Sequence, residues 1–106
     1  MLVVFGACNP RQSKLRNTIE SKEKTLVEQA KTGRADTSAV TSLLKDYETY
    51  AEQYPDDTIG ATYLFKAADF YRYLRQPLRS IALYAKIYDN YPKVEKRPYA
   101  LFLQGF

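Results

Sequence analysis

The stretch LLKDYETYAEQYPDD (residues 43–57) is echoed by SIALYAKIYDNYPKV (residues 80–94). Tyr54-Pro55 in the first returns as Tyr91-Pro92 in the second, and the offset of 91 − 54 = 37 residues aligns Leu44 with Ile81, Tyr47 with Tyr84, Leu64 with Leu101 and Phe65 with Phe102. Each proline stands six residues before the first periodic position of the next helix, Pro55 before Ala61 and Pro92 before Pro98. The chain therefore carries an internal repeat. Periods of roughly 20 to 50 residues signal solenoids, whose units bury their apolar faces only by stacking on one another. A four-helix bundle would account for the helices but not for landmarks at a fixed offset. Solenoids present extended binding surfaces, so the repeat already favours an interaction module over a catalyst.

Working outward from the repeat, helical spacing runs through the chain. Leu15, Ile19, Leu26, Val27 and Ala30 form a narrow stripe interrupted by Lys22, and Gly33 stands where a C-terminal cap belongs. Such a stripe predicts a first helix at the edge of the domain or against a partner. Asp36-Thr37-Ser38 offers N-cap side chains for a second helix bearing Val40, Leu43, Leu44, Tyr47, Ala51 and Tyr54, which Pro55 ends. Asp56 and Asp57 read as caps of a third, with Ala61, Leu64, Phe65, Ala68 and Tyr71 inward. A turn near Arg75-Gln76 lets Pro77 open a fourth helix carrying Ile81, Tyr84, Ala85, Tyr88 and Tyr91. A fifth begins near Pro98 with Tyr99, Leu101, Phe102 and Gly105. The expected fold is all-α, about five helices in antiparallel helix-turn-helix repeats joined by short linkers, and an incomplete fragment of a longer solenoid. The last helix would then lack a covering partner and would self-associate.

Composition excludes most catalytic chemistries. The 106 residues contain no histidine and one cysteine, Cys8. Disulfide frameworks, Cys/His zinc sites, Ser-His-Asp triads and Cys-His dyads are thus unavailable, and neither metal nor cofactor is expected. Adjacent Asp56 and Asp57 at a helix start read as caps rather than as an acid–base pair. Gly33-Arg34-Ala35-Asp36 lacks the glycines and lysine of a phosphate loop and reads as a turn. Charge alternates by segment: residues 1–35 carry 7 − 3 = +4, residues 36–57 carry 1 − 6 = −5, and residues 58–106 carry 8 − 3 = +5. A nucleic-acid binder would concentrate its cations without an acidic block between, so none is expected as a partner. The ten tyrosines fall largely at helical spacing. That suits rings buried between helices with hydroxyls reaching an edge, more than stacking on bases or sugars.

Counted from Ala61 as a first position, Leu64 falls fourth, Ala68 eighth, Tyr71 eleventh, Tyr84 twenty-fourth and Pro92 thirty-second. Over residues 38–106 this pattern resembles the tetratricopeptide repeat. Ser80 replaces the small alanine usual at the twentieth position, and the period of 37 exceeds the family's usual ~34. Such lengthening resembles bacterial envelope versions, including the BamD-like outer-membrane lipoproteins. The N-terminus fits that placement. Leu2-Val3-Val4-Phe5 is apolar, and Gly6-Ala7-Cys8 resembles the end of a bacterial lipobox, whose cysteine is lipidated. Phenylalanine takes the place of the usual leucine, the apolar run is short and no basic segment precedes it, as expected of a truncated signal over residues 1–8. A competing reading is an apolar tail packed on the first helix with Cys8 inert. Residues 9–35 would then be a tether, from Asn9 to Ser13, followed by the first helix, and residues 36–106 the repeats.

The resemblance implies a concave groove lined by the first helix of each repeat. Here its positions are Thr62, Phe65, Asp69, Arg72 and Tyr73, then Tyr99, Phe102 and Phe106. Aromatic and arginine anchors suit an extended peptide or a partner helix. Packing of Phe65, Phe102 and Phe106 between repeats is the other use of those rings. The implied function is a non-catalytic protein-binding scaffold, held by a lipid on Cys8 to the outer membrane and facing the periplasm. Alternatives are an outer-membrane assembly accessory of the BamD type and a peptidoglycan- or glycan-processing helper.

Overall fold

Four helices, α1 (Pro10–Lys31), α2 (Thr37–Gln53), α3 (Ile59–Tyr73) and α4 (Pro77–Asn90), make up the fold in a computed structural model that describes residues 10–34 and 36–92. Among the described residues there is no strand, so the all-α expectation holds. The fifth helix, Cys8, Tyr99, Phe102 and Phe106 lie outside them. The chain divides into two compact units, Met1–Asp46 and Tyr47–Phe106, with α2 contributing to both.

In the first unit, α1 starts earlier than expected. Pro10, placed within the tether by its sequence, instead opens the helix, where its fixed φ is already helical and its missing N–H costs nothing. The far end closes as a Schellman motif: Gly33 at φ +71° donates to Ala30 at 3.1 Å and Arg34 donates to Gln29 at 2.8 Å. Only Ile19 and Leu26 of its stripe are buried; Val27 is 54% exposed and Ala30 is exposed. Lys22, the apparent flaw in the stripe, bonds Ser42 at 2.7 Å and pairs with Asp46 at 2.5 Å, both on α2. Its cation faces the neighbouring helix, so the helix needs fewer apolar residues there. Asp36 caps α2 by accepting the Ser38 N–H at 3.0 Å.

The second unit packs the end of α2 with α3 and α4. Tyr50 in α2 is 0% exposed, and its ring lies 5.1 Å from Tyr63 edge-on and 5.0 Å from Tyr54. Tyr47 stacks on Tyr63 at 5.3 Å. Asp57 ties the α2–α3 connection together, accepting from the Tyr50 hydroxyl and, at 3.0 Å, from the Ile59 N–H. It is the working cap of α3; its neighbour Asp56 is exposed. Gly60 permits a close approach of three segments, because a Cβ there would stand 2.6 Å from the Tyr91 hydroxyl and 3.3 Å from Ala51 Cα. Contacts Gly60 to Tyr91, Phe65 to Tyr84 and Tyr71 to Arg79 run in opposite directions along α3 and α4, which are therefore antiparallel.

Rotation of α4 differs from expectation. Its buried side chains are Ser80, Leu83, Tyr84 and Ile87, followed by Tyr91, whereas Ile81, Ala85 and Tyr88 are half-buried flanks. Ser80 Oγ is buried without a hydrogen-bond partner, the cost of a hydroxyl where only a small side chain fits.

Between α3 and α4 a second Schellman motif forms, with Arg75 in the left-handed region at φ +62°. Arg75 donates to Arg72 at 3.0 Å and Gln76 to Tyr71 at 2.8 Å. A side chain in that conformation costs roughly 1–2 kcal/mol, while glycine gains unfolded-chain entropy of about 0.4–1 kcal/mol. Arg75→Gly is therefore expected to stabilise the chain by about 0.5–1 kcal/mol, read as a higher midpoint in urea unfolding.

Candidate functional site

Helix α3 has two faces of opposite character. Ala61, Leu64, Ala67, Ala68 and Tyr71 are buried, and so are Gly60 and Tyr63. The stripe between them holds the expected groove residues. Thr62, Asp69, Arg72 and Tyr73 are exposed, Tyr73 at 85%, and Phe65 is half-buried. The same 3.6-residue period that buries the alanines and Leu64 turns these outward.

Four groups on this stripe and on α4 interlock. The Phe65 ring lies 5.9 Å from that of Tyr84, tilted by 57°. Tyr84 donates to Asp69 at 3.0 Å, and Arg72 stands 3.7 Å from the same carboxylate oxygen. Burial pushes the Tyr84 hydroxyl above its ordinary pKa of 10.0; Asp69 adds to the rise and Arg72 opposes it. A donor hydroxyl held neutral thus orients Asp69 and leaves Arg72 at the surface. Tyr84 was legible as core only. Nothing in local spacing links it to Asp69, fifteen residues earlier, and tertiary packing alone brings its hydroxyl to this face.

On another side of the unit, Glu48, Tyr71, Arg79, Ala82, Leu83 and Lys86 line a cavity of about 230 Å³. Tyr71 donates to Glu48 at 2.9 Å, and the Arg79 guanidinium lies 5.6 Å from the Tyr71 ring centroid. Burial raises the Tyr71 pKa first, with Glu48 reinforcing and Arg79 opposing. Tyr71, Glu48 and Arg79 thus interact with one another across this cavity. Among the described residues no cluster of His, Cys, Asp or Glu could hold a metal ion. Compared with family models, with curated proteins and with solved structures, the chain matches none.

Proposed function

We propose that the chain is a tetratricopeptide-like, non-catalytic scaffold that binds a protein or peptide along the Thr62, Phe65, Asp69, Arg72 and Tyr73 face of α3. Tyr99, Phe102 and Phe106 would extend that face, and a lipid on Cys8 would hold the protein to the bacterial outer membrane, facing the periplasm. Support comes foremost from the equivalence of α2 and α4. They end at Gln53 and Asn90, 90 − 53 = 37 residues apart. The Tyr54 N–H bonds the Tyr50 carbonyl at 2.9 Å, and its repeat-mate Tyr91 bonds Ile87 at 3.1 Å. Leu43 with Ser80, Tyr47 with Tyr84, and Tyr50 with Ile87 are buried in both copies. Helices that recur in burial and in termination, with α3 between them, are what a stacked repeat requires.

The exposed chemistry of α3 then supplies the binding surface. Truncating Arg72 or Tyr73 to alanine is expected to weaken partner binding by roughly 1–2 kcal/mol, leaving the thermal midpoint nearly unchanged because both side chains are exposed. The test is capture from envelope extract on the immobilised protein, followed by titration of each variant with the recovered partner. Barrel-assembly proteins would support the outer-membrane assembly variant of this function. Recovery of muropeptides instead, or equal affinity of the alanine variants, would overturn it.

A further inference from the structure

Among the described residues of the second unit, three arginines gather at one end. Because α3 and α4 are antiparallel, the α2–α3 connection and the end of α4 lie at one end, and the α3–α4 turn at the other. Of the described residues, the first end carries Glu52, Asp56, Asp57 and Asp89, with Lys86 one turn before Asp89. The turn carries Arg72, which stands 3.7 Å from Asp69, together with Arg75 and Arg79, and no acidic residue falls between Asp69 and Asp89 in the sequence. The same turn exposes two large apolar side chains, Tyr73 at 85% and Leu78 at 81%. Leu78 belongs to no groove position.

We propose that the α3–α4 turn docks on the surface of an anionic phospholipid bilayer. Arginines among exposed aromatic and aliphatic side chains are the chemistry of interfacial binding: cations meet lipid phosphates while the apolar groups enter the headgroup region. A connection between two helix ends offers an edge that enters a planar interface, whereas the cavity by Arg79 lies to one side, with Tyr71 and Glu48 already paired. No described helix is long and apolar enough to cross a membrane, so contact through the turn is at the surface. The docking stands independently of a lipid on Cys8; it shares Arg72 and Tyr73 with the proposed α3 face, and is read through Arg75 and Leu78, which lie outside that face.

Binding of the unlipidated 106-residue chain to vesicles of phosphatidylcholine, with and without phosphatidylglycerol, tests this by co-sedimentation. Binding is expected only to the anionic vesicles and to fall with added salt. Arg75→Gly, which relieves the backbone as it removes a cation, should lower vesicle affinity about fivefold, the worth of one surface cation. Leu78→Glu should abolish binding. An acidic side chain in the first turn of α4 favours the helix dipole, so this variant keeps its fold, which far-ultraviolet circular dichroism verifies. Val27→Glu, at an exposed apolar position on α1, should bind as the parent does. Equal binding to both vesicle types would overturn the proposal, as would insensitivity to Leu78→Glu. Binding of polyglutamate with the same dependence on Arg75 and Leu78, without binding of vesicles, would assign the turn to an acidic protein and would equally overturn it.

Discussion

Tyr50→Ala is expected to destabilise the protein by about 4 kcal/mol, within the range of large aromatic truncations in a core. Tyr50 is fully buried, and two other tyrosine rings lie against it at 5.0 and 5.1 Å. Removing its ring opens a cavity bounded by Tyr54 and Tyr63, and also strips the hydroxyl from Asp57, which caps α3. Tyr50→Phe separates the two contributions. It keeps the ring and loses the hydrogen bond, so the expected cost is about 1–2 kcal/mol, including a carboxylate left short of one donor. Urea unfolding of both variants, followed by circular dichroism, measures the difference. Equal losses for alanine and phenylalanine would place the whole effect in the Asp57 contact; a near-neutral alanine would show that Tyr50 is not a core residue.

Leu64→Ala should cost about 3 kcal/mol through lost transfer energy and the cavity left behind. Ala68→Leu, one turn further along the same face, should cost a further 1–3 kcal/mol class of penalty of opposite origin, since added methylenes find no space. Both positions are essentially inaccessible, at 1% and 0%. Calorimetry on each, beside Arg72→Ala and Tyr73→Ala, checks the two faces of α3 against each other. The outward pair should shift the thermal midpoint little and the inward pair strongly. Similar losses in all four would mean that the stripe taken as a binding face is packed.

The division between the two faces of α3 was legible because its small and large apolar residues keep helical spacing while Thr62, Asp69 and Arg72 fall between them. The caps were legible as well, because a side-chain oxygen before a helix and a glycine after one act over a few residues. Asp36, Asp57 and Gly33 stand where local geometry needs them. Arg75 at φ +62° was not. Its conformation is imposed by closing the turn, and arginine carries no mark of it.

In α4 the apolar side chains Ile81, Leu83, Tyr84, Ala85, Ile87, Tyr88 and Tyr91 spread over much of the circumference. Periodicity alone does not fix its rotation, and contact with α3 buries Ser80, Leu83 and Ile87. In α1 the reverse holds, since Val27 and Ala30 keep the period yet remain exposed. Tyr50 and Tyr84 show the same limit, because the partners of their hydroxyls, Asp57 and Asp69, are set by packing. By itself, then, the sequence determined the helical class, the 37-residue register, the helix ends with local caps and the outward face of α3. These depend on periodicity and on interactions within a few residues. Only the tertiary structure decided the rotation of α4, the tyrosine–carboxylate pairs and the gathering of arginines with exposed Tyr73 and Leu78 at one end, because each depends on which surfaces of separate helices meet.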